Sequence, residues 1–368
     1  MNTEHLYAIA LRSCHQLGNL NYKKLIDEFG SAEQVWNLPK SSLKQIFGIG
    51  DKRSEEIGSE KHLDFATSEL QFCEKNDIKI ISFQDKDYPQ LLRECPDAPV
   101  LLFVKGQIPN NTHNVSIVGT RNITSYGKQF IDDFLSELKS KKVSTISGLA
   151  YGVDAQVHEK SLQLNIPTVA VLAHGLHMIY PSKHHRLSHQ IIENGGALIS
   201  EYTSKSKPDR EHFLQRNRII AGLSQQCIIV ESAFGGGSMN TANFANDYNR
   251  DVFALPGKLT DKYSQGCNLL ISQNKAQIIH SIADLVQTCF TNQAEVGNLF
   301  SQFEIPTIDN PIQSKIYRLI QEKISISFDE LLNKIDKNPQ ELLNILLELE
   351  LLGYIKSQSG KNYTCSNY

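Results

Sequence analysis

Residues 115–121 read VSIVGTR: three branched apolar residues within four positions, then a glycine turn that carries an arginine. A short apolar run closed by glycine is how a strand hidden on both faces reads, because a parallel sheet is covered above and below. The pattern recurs. Ser144–Ser147 runs into Gly148-Leu149-Ala150-Tyr151-Gly152, and Cys227–Val230 runs into ESAFGGGS at 231–238. Thr168–Leu172, Ala197–Ser200 and Asp251–Ala254 are further short strands. Helical stretches separate all six, which is the signature of βαβ units. The predicted fold class is α/β, with a Rossmann-like parallel sheet core over residues 76–288.

The flanks differ in pattern. Residues 1–75 carry helical periodicity, and 43–57 (LKQIFGIGDKRSEEI) places Gly48 and Gly50 in a turn between two amphipathic stretches. This predicts a small helical domain of the helix-hairpin-helix or SAM-like type. Two readings of its turn stay open: backbone N–H groups offered to a phosphate with Lys52 and Arg53 just beyond, or glycines that only let helices pack, beside Glu55 and Glu56. Residues 289–310 lack periodicity and read as a linker. Residues 311–368 then show helices near Ile312–Glu322, Ser327–Lys334 and Pro339–Leu351 and a hairpin over Gly353–Cys365, a winged-helix pattern. The third of these helices carries Glu341, Glu348 and Glu350 without Lys or Arg, which suits protein contact better than duplex DNA.

Composition excludes several classes. In 368 residues no apolar run approaches the roughly 20 a membrane helix requires, and the amino terminus lacks the pattern of a secretory signal, so the expected location is the cytoplasm. Seven scattered cysteines without a CxxC pair read as buried thiols, and neither a metal nor a cofactor is expected. The net charge of −3 leaves local clusters to identify any polyanion site. The sharpest is Lys205–Arg218, where Lys205, Lys207, Arg210, Arg216 and Arg218 face only Asp209 and Glu211.

In an open parallel sheet, ligands sit beyond the carboxyl ends of the strands. Gly119, Thr120 and Arg121, then Ser147 and Gly148, then Gly236, Gly237 and Ser238 are therefore candidate anion contacts, although a strand-to-helix turn can need glycine for geometry alone. Neither a P-loop nor a dinucleotide GxGxxG is present. In DREHFLQRNRIIAGLS (209–224), Phe213 stands among Arg210, Arg216, Asn217 and Arg218, the combination of aromatic platform and basic contacts that single-stranded nucleic acids use. The alternative is that Phe213 packs inward and an arginine closes an ion pair with Glu201 or Glu231. Lys183 extends the basic track or is an ordinary surface charge. His185 and His189 have metal-like spacing without a supporting motif, and Ser147, Asp154 and His158 lack a nucleophile elbow, so catalysis is not expected.

Taken in order, SIVGTR (116–121), SGLAYGVDAQVHEKSL (147–162), YP (180–181), QRNRIIAGLS (215–224) and VFALPG (252–257) resemble the DNA-processing protein A family, also called DprA or Smf, over roughly residues 80–285. The resemblance implies a non-enzymatic protein that binds and protects incoming single-stranded DNA and loads RecA recombinase onto it in natural transformation and recombination. It also implies a homodimer, with Arg121 and the residues around Phe213 and Arg216–Arg218 on the DNA. Gly-Thr-Arg replaces the family's more usual Gly-Ser-Arg, Leu214 stands for a proline, and the turns at Ala173–His177 and Gly235–Ser238 depart from the common pattern. A different class remains open: an enzyme or binder acting on a small nucleotide or sugar phosphate.

Overall fold

The computed structural model describes residues 3–15, 17–44, 51–110, 112–295, 310–323, 326–335, 337–352, 354–358 and 362–365. The Gly48–Gly50 turn, the side chains of Lys52 and Arg53, and most of the 289–310 linker lie outside them. The chain divides into two compact units after Cys289.

Nine strands organise the first unit: β1 (Ile78–Ser82), β2 (Leu101–Gly106), β3 (His113–Val118), β4 (Val143–Ser147), β5 (Thr168–Leu172), β6 (Ala197–Ser200), β7 (Gln226–Ile229), β8 (Asp251–Ala254) and β9 (Gln277–Ile278). They form one sheet in the order β1-β2-β6-β5-β4-β3-β7-β8-β9. From β6 across to β9 every pair is parallel. At the other edge β1–β2 and β2–β6 are antiparallel, so the sheet is mixed, not purely parallel as expected. The six expected strands are β3 to β8. Residues 78–106 supply the other edge, because β1 and β2 are separated by a short excursion instead of a crossover helix.

Every residue of β4, β5, β6 and β7 is buried, as a sheet covered by helices on both faces requires. The hydroxyls this hides are paired. Thr145 Oγ1 bonds Ser161 Oγ and Thr168 Oγ1, each at 2.8 Å, and Ser144 Oγ donates to Asn114 Oδ1 at 2.6 Å. The central core joins Val118, Ile146, Val171 and Ile229 of the sheet to Ile219, Ile220 and Ala242 of two helices. A second core packs Ile9, Leu25, Trp36 and Ala66 of the amino-terminal helices against Ile78, Ile80, Leu101 and Phe103 of β1 and β2. The helical stretch at 1–75 thus shares its interior with the edge of the sheet.

The topology creates one crevice. The chain runs from β3 outward through β4, β5 and β6, then returns to place β7 on the opposite side of β3. The helices that follow β3 and β7 leave in opposite senses, which opens a gap beyond the carboxyl ends of these two strands.

In the second unit the helices Pro311–Lys323, Phe328–Lys334 and Pro339–Leu351 accompany β10 (Ile326–Ser327), β11 (Ile355–Gln358) and β12 (Asn362–Cys365), paired in the order β10-β12-β11. Asn338 caps the last helix by accepting the Glu341 N–H at 2.9 Å, with Pro339 in its first turn. Leu342, Leu346 and Leu349 face its core. No described helix of the chain is long and apolar enough to cross a membrane.

Candidate nucleic-acid interface

The crevice between β3 and β7 is a cleft of about 910 Å³. Gly119, Thr120, Arg121 and Asn122 line it from β3, and Ser232, Gly236, Gly237 and Ser238 from β7. The helix Gly237–Asp247 starts there, its N-cap Gly236 making no side-chain cap. Its Met239 N–H turns back to the Gly236 carbonyl at 3.0 Å, and the positive end of the helix dipole at this start favours an anion.

The helix Arg210–Gly222 forms the facing wall. Arg210, Phe213, Leu214, Asn217 and Ile220 line the cleft at positions i, i+3, i+4, i+7 and i+10, one face of a helix, with Arg216 at its margin. Asp209 caps this helix through the Glu211 N–H at 2.8 Å. Half-buried Phe213 has the Arg121 guanidinium 5.5 Å and the Arg216 guanidinium 5.8 Å from its ring centre, and the exposed Tyr180 ring tilted beside it at 5.9 Å. Arg121 is exposed, and Lys207 and Arg210, also exposed, line the same cleft. Phe213 does not pack inward as the alternative reading had it.

The two inner arginines have other tasks. Buried Arg216 donates to the carbonyls of Gly148, at 2.9 Å, and Val171, and its Nε reaches Asn217 Oδ1 at 3.2 Å. Burial pulls its pKa down to about 10, against the attraction of Asp154. The Asp154 carboxyl is pushed upward by its own burial, opposed by Arg216 and by the Ala150 N–H at 3.2 Å. Arg218 lies away from the cleft, paired with Glu201 Oε2 and bonded to the Asp97 carbonyl. Residues two apart on a helix point about 200° from each other, so Arg216 and Arg218 cannot share a face. Of the two acids considered as partners, Glu201 takes Arg218, while Glu231 accepts from the Thr124 N–H and hydroxyl at 2.9 and 2.5 Å.

The turn after β4 also differs from expectation. Ser147 is buried and donates to the Ile117 carbonyl at 2.7 Å. Gly148 lies beneath the Arg216 guanidinium, where an added Cβ would meet Nη2 at 2.6 Å. Gly152, at φ +78°, lets the Thr120–Arg121 backbone approach so closely that a Cβ would meet Thr120 O at 2.3 Å. This turn supports the Arg121 loop from below and reaches the cleft only through Ala150, with Asp154 of the helix that follows. His158, held by burial at a pKa of about 3, bonds Thr168 Oγ1 at 2.7 Å and not Ser147, so the three residues weighed as a hydrolytic set are not in relay. Lys183 is exposed outside the cleft lining. Asn217 Nδ2 donates to Gly237 O at 3.1 Å and ties the two walls together.

Tyr180, Asn122 and Lys207 are lining residues absent from the expected set. The Tyr180-Pro181 pair was visible in the sequence, but nothing local showed that it would stand beside Phe213. The basic loop itself is anchored: Ser204 N–H and Oγ both donate to the Glu69 carboxylate, at 2.7 and 2.5 Å, and Lys205 lies 5.6 Å over the Phe65 ring, turned from the cleft.

A switch-point cleft with an arginine turn on one strand, a bare helix start on the other and an arginine-aromatic wall matches a known pattern. The model of the DNA recombination-mediator protein A family fits residues 79–290, more than half of the chain. The chain belongs to this family. It is 31% identical to Protein Smf of Synechocystis, covering 98% of this chain and 99% of that protein. With the DNA processing protein DprA of Streptococcus pneumoniae it shares 38% identity over 66% of this chain and 86% of that one. The X-ray structure of Streptococcus pneumoniae DprA matches with a TM-score of 0.65 at 32% identity, covering 76% of this chain and 96% of that one. DprA of Helicobacter pylori, whose structure concerns its single-stranded DNA binding mode, matches with a TM-score of 0.52 at 29% identity over 59% of this chain and 98% of that one. The α/β fold found here, with its mixed, mostly parallel sheet, is thus similar to that of Streptococcus pneumoniae DprA.

Proposed function

We propose that this chain binds single-stranded DNA across the β3–β7 cleft, protects incoming strands, and loads RecA recombinase onto them during natural transformation and recombination. The observation that carries the reading is the exposed Arg121 set over Phe213 at 5.5 Å, beside Lys207, Arg210 and the start of the Gly237–Asp247 helix. Cations on this wall take the phosphates, and Phe213 with Tyr180 takes a base face, so contact depends little on sequence. In this reading Gly119, Thr120, Arg121, Arg210, Phe213, Asn217, Gly236, Gly237 and Ser238 touch DNA. Arg216 works from beneath, and Ser147, Gly148 and Arg218 hold the scaffold. The protein acts as a cytoplasmic homodimer without catalysis, residues 1–75 form a helical domain of the SAM-like type, and residues 311–368 form a winged helix used for protein contact.

The test is a binding series from a mononucleotide to long single strands, run at several salt concentrations. Affinity rising with length and falling steeply with salt supports the reading. A mononucleotide bound as tightly as an oligomer, or turned over, overturns it in favour of small-nucleotide chemistry, which a cleft of about 910 Å³ has room for. RecA recruitment is tested by co-purification and by filament assembly on protein-coated strands; absence of both removes that part.

A further inference from the structure

Three potential metal ligands meet where the amino-terminal helices converge. Cys14 follows the helix Thr3–Ser13, Glu56 ends the helix Asp51–Glu56, and His62 lies in the first turn of the helix Glu60–Lys75. The Cys14 sulfur, a Glu56 carboxylate oxygen and a His62 ring nitrogen all lie within 4.8 Å of one another.

The hydrogen bonds around His62 decide which nitrogen faces the cluster. Ser13 Oγ donates its one proton to the Ala10 carbonyl at 2.7 Å, so it can only accept from His62 Nδ1, also at 2.7 Å. The Nδ1–H is thereby fixed, and the Nε2 lone pair is left facing Glu56 Oε2 at 3.8 Å. Glu56 Oε2 also accepts from the His15 N–H, so an imidazole nitrogen, an anchored carboxylate and a buried thiol converge at one point. A histidine that donates one ring N–H to a neighbour and offers the other nitrogen is how metal-binding imidazoles are oriented.

We infer that Cys14, Glu56 and His62 form a zinc(II) site that clips the three amino-terminal helices together. A sulfur, nitrogen and oxygen set suits zinc and not calcium or magnesium, which take oxygen alone. Ligand atoms around tetrahedral zinc stand roughly 3.5 Å apart, so the cluster closes by about 1 Å on binding. Thiolate and carboxylate together neutralise the two charges of the ion, so the filled site carries no net charge. His62 and Ser13 also line a cavity of about 400 Å³. Binding breaks the Cys14 S–H bond, forms a zinc–sulfur bond and releases the proton to buffer. Unmetallated, burial holds this thiol up at about 12.

The test uses the full chain, stripped with a chelator and titrated with cobalt(II), then zinc(II). One equivalent of cobalt with a thiolate-to-metal absorption band, displaced by zinc with about one proton released per chain, is expected. Cys14→Ser abolishes the band, whereas Cys73→Ser, a buried thiol elsewhere on the Glu60–Lys75 helix, keeps it. Ser13→Ala weakens zinc binding roughly 10- to 100-fold. Should Cys14→Ser fail to fold, Glu56→Gln retains the thiol and is expected to weaken zinc binding while keeping the band at saturation. The inference is overturned if the band survives Cys14→Ser, if Glu56→Gln and His62→Ala leave affinity unchanged, or if uptake disappears only with His185→Ala, which would place the ion on the adjacent His185 and His189 rings.

Discussion

Two glycine turns leave the same edge of one sheet, after β3 and after β4, and they reach the cleft unequally, the first with Gly119, Thr120, Arg121 and Asn122 and the second with Ala150 alone. Both follow buried strands and both precede helices. The difference lies in their neighbours. β3 stands at the point where strand order reverses, so its turn opens on the crevice, whereas β4 is enclosed between β3 and β5 and its turn is roofed by Arg216. Glycine in both turns lets the protein approach itself, Val153 against Gly119 and Arg216 against Gly148; the contrast lies in the side chains beside them. The arginines divide in the same way, with Arg121 reaching outward and Arg216 filling hydrogen bonds beneath.

The division is sharpest for Arg216. Arg216→Met leaves the Gly148 and Val171 carbonyls without their donor and Asp154 without its counter-charge, and is expected to cost about 3–5 kcal/mol in a urea unfolding experiment. A stable variant with weakened DNA binding would place Arg216 on the ligand and dissolve the contrast. Next comes Gly152→Val, which forces a branched side chain to φ +78° and against Thr120 O. About 1–3 kcal/mol of stability should disappear, and DNA affinity should drop with it because the Arg121 loop is displaced. Unchanged binding would show that the loop does not need this support.

Arg121→Ala should act on the ligand alone. Affinity for single strands is expected to fall roughly 10-fold, about 1.4 kcal/mol, with the unfolding midpoint unmoved. The slope of log affinity against log salt should flatten by about 0.7, because one phosphate fewer is neutralised. A lower midpoint would mean that Arg121 belongs with Arg216. The smallest effect is expected for Lys183→Ala, within about 2-fold in affinity, because surface charges beyond the cleft contribute little; a larger drop would extend the DNA track past Tyr180.

The strands were legible because burial on both faces leaves a local mark, and all six expected ones are present as β3 to β8. The edge strands were not assigned, since β1 and β2 are paired across segments about 20 residues apart that leave no periodic sign. Arg210, Phe213 and Asn217 were readable as one helical stripe, and Arg121 as an arginine in a turn. Arg218 was included because a basic cluster was read along the chain, without the rotation of a helix that sends it to Glu201. Ser147 and Gly148 were included because a glycine turn looks the same whether a phosphate or a buried guanidinium sits above it. Tyr180 escaped because its partner is 33 residues away on another element. The residues of the proposed zinc site leave no sign in the sequence for a similar reason: they are spaced 42 and 6 residues apart and share no motif.

The two bonds from Ser204 to Glu69 join the loop that carries Lys207 to a helix 135 residues earlier in the chain. That helix therefore acts as a splint. Trimming the molecule to its sheet would leave the cations in place but free the loop that presents them, and each binding event would then have to freeze it anew. On the proposed reading, the smallest fragment that grips a strand well is set by this brace, in the helix that precedes the first strand.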